Sequence, residues 1–364
     1  MKLVSPILKK IVYPSLAKTG CFRGLAPSGL AVVTYHGVLP QGYERIDPDL
    51  DGSLITSDAL RRQLRLLKTK YTVITPEEML LWCEEKLVLP PRAVLLTCDD
   101  GLVNNLTEML PVLEEEGVRC LFFVTCASCH DEPAILWYEE LFLLLLRAPA
   151  GSFNISSAEL EIGGTLAGRD QRRALWWNSV KQLSQVGAQS RKAFVNAARV
   201  HLRADSDAIF PTNDLPSQRR FRLLNRGELK QLESAGMTIG AHSMSHPLLS
   251  RMPPELARAE ITESRACLEA VLAKGVWAFA YPFGDPQSVT PEILVMAKDA
   301  GYAAAFLNWG GGLGAELPPF AIPRVHVTAS MDLAEMEAHV AGFYSWLQRH
   351  VGRNPQDLLR PARG

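Results

Sequence analysis

Two short segments, far apart in the sequence, carry residues whose types and spacing suit a hydrolytic metal site. Asp99 and Asp100 stand next to each other, and His242 and His246 are four residues apart. One carboxylate and two imidazoles can hold a divalent cation while a coordination position stays open for the reacting water. The second carboxylate is then free to accept the proton of that water. These residues therefore predict metal-assisted hydrolysis.

Each segment alone has an ordinary alternative interpretation. Asp-Asp-Gly after an apolar run is often a simple turn, and two histidines at this spacing can both lie on a surface. The metal hypothesis gains weight because candidate groups follow several separate apolar runs: His36, the Asp99–Asp100 pair, His242 and the turn that contains Phe283. In barrels of parallel strands, catalytic groups collect at the carboxyl ends of the strands.

The elements that must position these groups alternate between strands and helices. From Gly29 onward the apolar runs predict strands over 30–35, 93–97, 119–124, 237–241, 276–280, 303–307 and 321–327, with helical patterns between them. This alternation predicts an α/β fold with a mainly parallel sheet or barrel covered by helices.

Three other regions complete the predicted organisation. The segment of about 130–222 interrupts the alternation and is predicted to be a largely helical insertion that could cover one mouth of the barrel. Residues 1–28 predict a basic amphipathic helix, broken near Pro14, which either packs on the domain or attaches to an anionic membrane surface. The barrel domain is predicted over 29–345, and the end of a terminal helix with a polar tail over 346–364.

Composition narrows the choice of partners and compartment. The chain has 364 residues, is 47% hydrophobic and carries a formal net charge of −1. It therefore lacks the excess of positive charge expected of a nucleic-acid-binding protein. An export signal needs an uninterrupted apolar core, and Lys9 and Lys10 interrupt any such core here. We therefore expect a cytoplasmic location. If the N-terminal helix attaches to a membrane, we expect the protein at the inner membrane face.

The seven cysteines are scattered and odd in number, which does not indicate a disulfide framework. Cys126 and Cys129 have CxxC spacing, but no second pair accompanies them. A zinc ribbon usually needs two pairs, so the spacing alone predicts no metal site here.

The order of the motifs, Asp-Asp-Gly, then His-Ser-x-x-His, then a Pro-aromatic-Gly turn, resembles the polysaccharide deacetylases of the NodB-homology type, carbohydrate esterase family 4. The resemblance implies an incomplete, TIM-like (β/α)7 barrel. It also implies that Asp99 is the general base, and that Asp100, His242 and His246 bind one divalent metal. Zn²⁺ is the expected ion, with Co²⁺, Ni²⁺, Fe²⁺ and Mn²⁺ as alternatives.

The resemblance further implies that the backbone N–H of Phe283 binds the oxyanion. The same turn, with Tyr281 and Pro282, would contact an N-acetylated glycan substrate. The family's corresponding motif commonly begins with an Arg that contacts the catalytic Asp, and this chain has Ala280 there. We hypothesise that Arg324, at the end of the last predicted strand, supplies the missing cation.

A second departure concerns the general acid. The region after Arg324 has no convincing match to the family's late Leu-x-x-His motif. Instead, the segment around His36 looks like the circularly permuted arrangement of exopolysaccharide deacetylases. His36 is therefore assigned as the acid that protonates the leaving amine, and His326 is the alternative by strand position.

The sequence thus predicts a metal-dependent N-deacetylase that acts on a GlcNAc-type polysaccharide or a glycan biosynthetic intermediate. Two alternatives stay open. The same metal centre could hydrolyse another linear amide or a cyclic imide, because fold and motif do not fix the substrate. The chain could also be an inactive carbohydrate-binding relative, although such a protein has no use for a spare carboxylate beside a metal.

Overall fold

The computed structural model describes residues 4–22, 29–156, 159–202, 214–312, 314 and 317–350. Its strands, numbered in chain order, are β1 Leu30–Tyr35, β2 Thr72–Ile74, β3 Ala93–Cys98, β4 Leu121–Val124, β5 Ser152–Ser156, β6 Glu161–Thr165, β7 Thr238–Ala241, β8 Ala278–Ala280, β9 Ala304–Gly310 and β10 Ile322–His326.

Seven parallel strands close into a barrel, as the sequence predicts. Their order is β1-β10-β9-β8-β7-β4-β3, and β3 pairs back with β1 to complete the ring. That closing pair runs in parallel register from Leu30 opposite Ala93 to Tyr35 opposite Cys98. The short β2 pairs with the first half of β3, outside the ring. The fold is therefore the predicted (β/α)7 barrel, with its strand ends gathered at one mouth.

The barrel strands are apolar along almost their whole length because both of their faces are covered. Phe123 and Phe306 meet inside the barrel at 5.2 Å between ring centroids, beside the small residues Ala278, Ala280 and Ala304. A larger cluster lies between the outer face of the strands and the helices. This packing fixes the strand ends that carry the candidate groups.

Helices surround the barrel. The α-helices outside the 130–222 segment, excluding the N-terminal ones, are Pro48–Asp51, Ser57–Lys70, Pro76–Cys83, Leu110–Glu116, Arg226–Ser234, Pro254–Leu272, Pro291–Asp299, Leu333–Val340 and Phe343–His350. Short helical turns occupy Asn105–Met109, which is a π-helix, and Cys126–Cys129 and Leu249–Arg251, which are 3₁₀-helices.

The predicted insertion is helical and has its own apolar core. Its helices are Trp137–Arg147, Arg169–Leu183, Ala188–His201 and Leu215–Phe221. It also holds an antiparallel hairpin of β5 and β6, which the sequence analysis did not predict. Fully buried Arg220 ties the insertion to the barrel, because its guanidinium donates to Asp51 Oδ1 at 2.7 Å and to Glu139 Oε1 at 2.9 Å.

The N-terminal segment is helical and differs from the prediction in one detail. The chain is helical from Val4–Ile7 through a π-helical turn at Leu8–Val12 to Tyr13–Thr19, without a break at Pro14. The Tyr13 N–H donates to the Leu8 carbonyl, and Pro14 falls in the first turn of the next helix, where its missing N–H is tolerated.

This helix packs on the C-terminal helices. Tyr13 is buried against Phe343, and Lys9 forms an ion pair with Glu335 at 2.9 Å. Ile7 and Ile11 remain more than half exposed. None of the described helices is both long and apolar enough to span a bilayer. Membrane contact and cellular location stay predictions. The tail from residue 351 lies outside the described residues.

Candidate metal centre and active site

Asp100, His242 and His246 come together at the mouth of the barrel. Asp100 follows β3, and His242 follows β7, whose end is linked to β4 by the bond from the His242 N–H to the Val124 carbonyl at 2.9 Å. Asp100 Oδ1 lies 3.5 Å from His242 Nε2 and 3.3 Å from His246 Nε2. The three donor atoms lie within 4.8 Å of one another, and all three residues are buried. This is a candidate metal site.

The chemistry of these donors fits a divalent cation. His242 Nδ1 donates to the Ala280 carbonyl at 2.7 Å, which orients the ring so that Nε2 faces Asp100. Burial lowers the pKa of His246, which keeps that imidazole neutral. Burial raises the pKa of Asp100, but the contacts with both histidines lower it well below the usual value. Two imidazoles and one carboxylate are a donor set that zinc-class ions accept.

The backbone around this site is held in an uncommon conformation. Four non-glycine residues there have positive φ: Asp100 at 77°, Ser243 at 63°, His246 at 55° and Phe283 at 62°. Side chains disfavour this region, so the surroundings must hold the backbone in place. One such contact is the bond from the His246 N–H to Ser243 Oγ at 2.9 Å. The His242–His246 loop is thus fixed rather than free to adapt.

A buried ion pair supports this loop from behind. The Ser245 N–H donates to Glu260 Oε2 at 2.8 Å, and the Ser245 hydroxyl also bonds Glu260 and Arg191. Arg191 comes from the insertion and pairs with Glu260 at 3.0 Å. Sequence reasoning missed both residues, because nothing in the local pattern connects a helix of the insertion with one of the barrel.

Asp99 and Arg324 form a two-pronged ion pair inside the barrel. Arg324 Nη1 donates to Asp99 Oδ1 at 2.7 Å and Nη2 to Oδ2 at 2.5 Å, and both residues are buried. Burial is the largest single influence on Asp99 and raises its pKa, but the charge and hydrogen bonds of Arg324, together with nearby His242 and His36, outweigh it, so the pKa lies below its usual value. The structure places Arg324 where the missing-cation hypothesis requires it.

The turn after β8 presents Phe283 to the site and withdraws Tyr281. The Phe283 ring lies 4.9 Å from that of His246 between centroids. The turn is closed by a bond from Gly284 to the Pro282 carbonyl and another from Asn308 to the Gly284 carbonyl, and neither uses the Phe283 N–H. Tyr281 is completely buried, and its hydroxyl donates to the Phe320 carbonyl at 2.9 Å. The predicted substrate contact by Tyr281 is therefore corrected to a packing role.

The two candidate acids lie side by side. His36 follows β1 and His326 ends β10, and their ring centroids are 4.7 Å apart. His326 Nε2 lies 3.2 Å from Ser53 Oγ. Burial and the proximity of His36 lower the pKa of His326 to about 3. A general acid must carry a proton at the working pH, so this environment favours His36 over His326.

The insertion adds aromatic side chains that the sequence analysis did not assign to the site. Tyr138 lies 4.9 Å from His246 and 5.5 Å from Phe283 between ring centroids. Trp177 lies 5.8 Å from Phe283 and 5.6 Å from Trp176. The adjacent tryptophans in an otherwise polar helix were the signal that could have identified this surface.

Comparison with known proteins also points to polysaccharide deacetylases. The family model for polysaccharide deacetylase matches residues 202–305, which include both histidines of the candidate site. Among curated protein sequences no match is found. This stretch of the chain is therefore similar to polysaccharide deacetylases. The similarity supports a hydrolytic carbohydrate deacetylase.

Solved structures share the fold. IcaB from Ammonifex degensii has a TM-score of 0.53 and 18% identity, over 86% of this chain and 97% of that one. The deacetylase PplD from Streptococcus pyogenes, solved in complex with acetate, has a TM-score of 0.52 and 16% identity, over 86% and 99% of the two chains. At these identities the likeness establishes the barrel, and the chemistry is argued from the residues.

The Asp99–Arg324 pair generates a prediction about turnover. Arg324→Lys keeps a cation in the barrel but loses the parallel pair of bonds that orients Asp99. We expect kcat/KM for acetate release from N-acetylated oligosaccharides to fall roughly 10²-fold, with the bound metal per chain unchanged. Arg220→Lys, which weakens a different buried ion pair by the same substitution, is the matched control. Full activity of the Arg324 variant, or loss of metal together with activity, would contradict the assignment.

The two neighbouring histidines generate a second prediction. His36→Ala should abolish most turnover, since the leaving amine is then not protonated, and the alkaline limb of the pH–rate profile should disappear. His326→Ala should retain most of the activity and that limb. Metal content, measured for both variants, should equal that of the parent. The reverse pattern would assign the acid to His326.

Proposed function

We propose that this protein is a metal-dependent hydrolase that removes N-acetyl groups from a GlcNAc-type polysaccharide or from a glycan biosynthetic intermediate. The observation that carries the proposal is the convergence of Asp100, His242 and His246 with a second, separately paired carboxylate, Asp99, at one mouth of a deacetylase-type barrel. A centre with a spare carboxylate suits hydrolysis and has no evident use in a protein that only binds sugar.

The chain's own residues can be assigned to each proton and charge of the reaction. A divalent cation held by Asp100, His242 and His246 would supply Lewis-acid polarisation of the attacking water and the amide carbonyl. Asp99 is kept ionised by Arg324, and each of its oxygens retains a second lone pair to accept the water's proton. The Phe283 N–H is available for the negative charge that develops on the carbonyl oxygen.

The acetamide C–N bond then breaks, and His36 donates a proton to the departing nitrogen. The products are acetate and a sugar amine. The neutral state of His326 beside it suits this role, because a second charged imidazole at 4.7 Å would repel the protonated form of His36.

The substrate surface extends from the metal site across the insertion. Phe283 and Trp177 lead from His246 to a cavity of about 500 Å³ lined by Asp49, Asp170, Arg173, Ala174, Trp176 and Trp177. Aromatic faces suit the apolar faces of sugar rings, and the charged groups suit their hydroxyls. This layout favours a glycan of several units over a small isolated amide.

The direct test is acetate release from N-acetylated oligosaccharides of graded length and linkage. The parent protein should release acetate in a reaction that stops with chelator and returns with Zn²⁺ or Co²⁺. Asp99→Asn should lose turnover and keep its metal. Hydrolysis only of cyclic imides or simple amides would replace the glycan assignment. Binding of glycan without any release would indicate an inactive relative.

The aromatic surface predicts a dependence on substrate length. Trp177→Ala should raise KM for a long N-acetylated oligosaccharide roughly tenfold, equivalent to about 1.4 kcal/mol of binding. It should change KM much less for the shortest substrate, which does not reach this surface. Trp346→Ala, at an exposed tryptophan of the C-terminal helix, is the control. An equal effect on short and long substrates would refute an extended subsite at Trp177.

A further inference from the structure

Three cysteines that the proposed deacetylation does not use lie together behind the metal loop. Cys126 and Cys129 begin and end the short helix after β4, and Cys267 lies on the helix Pro254–Leu272. Their sulfur atoms all lie within 4.8 Å of one another, and none forms a disulfide. The CxxC spacing had no second pair in the sequence, but the fold supplies a third thiol from a distant helix.

From this cluster we infer that Cys126, Cys129 and Cys267 form a second cation site, for a thiophilic divalent ion of the zinc class. Three thiolates suit such an ion as ligands. Sulfurs bound to zinc at ~2.3 Å in tetrahedral geometry stand about 3.8 Å apart, so only a small inward movement is required. Cys126 and Cys129 are buried, while Cys267 is half-buried.

Binding of a divalent ion by these three thiols releases their protons. A disulfide between any two of these cysteines would leave the third thiol unable to form the three-thiolate site.

The position of the cluster gives the site a consequence for the catalytic loop. The Cys126 N–H donates to the carbonyl of Ser243 at 3.3 Å. The helix that carries Cys267 also carries Glu260, which binds Ser245. An ion shared by these two elements ties together two supports of the loop that holds His242 and His246, without touching the reacting atoms.

The experiment uses the full-length, reduced protein loaded with Co²⁺, whose thiolate complexes absorb strongly in the near ultraviolet. The parent should show this thiolate band. Cys267→Ser should lose it together with one bound ion per chain. A variant with His242→Ala and His246→Ala should keep the band while losing the other ion. Cys83→Ser, at a half-buried thiol outside the cluster, should change neither.

Alkylation of the unmodified protein gives a second readout that does not depend on a variant. Zn²⁺ should protect Cys267 from iodoacetamide, as followed by mass spectrometry, and chelator should restore its reaction. The inference is overturned if the parent lacks the thiolate band, if Zn²⁺ gives no protection, or if the reduced protein re-forms a disulfide within the cluster in the presence of Zn²⁺.

Discussion

The pairing of β1 with β3 is the constraint on which the site depends. It closes seven parallel strands into a ring, so residues that follow β1, β3, β7, β8 and β10 all face one mouth. His36 and Asp99, which would stand on opposite edges of an open sheet, become neighbours through this one pairing. In the same ring Arg324, on β10, crosses the interior to reach Asp99. Without closure, the candidate residues would be spread along the sheet edge.

Burial then determines how the charges must be arranged. Charged groups cannot remain in a barrel interior unless they are paired, and each carboxylate here has a distinct partner. Asp99 is matched by Arg324, while Asp100 faces two imidazoles. These partners separate two adjacent residues of the same type into different roles. Asp100 lacks a cationic side chain of its own, which is why a bound metal ion is the natural complement to it.

Much of this was accessible from the sequence because it resides in local patterns. The apolar runs locate the strands, and polar residues after them locate the mouth, which suffices to group the Asp99–Asp100 pair with His242 and His246. The choice of Asp100 as the metal ligand came from the family resemblance. Arg324 was reachable in the same way, from its place near the end of the last run. The error at Tyr281 has the same origin, since position at a strand end does not reveal whether a side chain faces the mouth or the core.

Features that depend on packing between distant segments were not accessible. Arg191 meets Glu260 across 69 positions of sequence, and Cys267 reaches the CxxC pair only because its helix packs against β7 and the Cys126–Cys129 turn. The hairpin of β5 and β6 was missed because two glycines leave β6 with a single apolar residue, although β5 alternates strictly. The π-helical turn before Pro14 was missed because proline usually ends a helix. Each depends on tertiary context that overrides a local preference.

The central claim is that Asp100, His242 and His246 together hold one divalent cation. The most direct measurement is a crystal structure of the Zn²⁺-loaded protein with anomalous scattering recorded at the zinc edge. The account predicts an anomalous peak at roughly 2.0–2.2 Å from both Nε2 atoms and from an Asp100 oxygen. Zinc-loaded crystals with no peak among these three side chains, or with Asp100 turned away from the histidines, would contradict it.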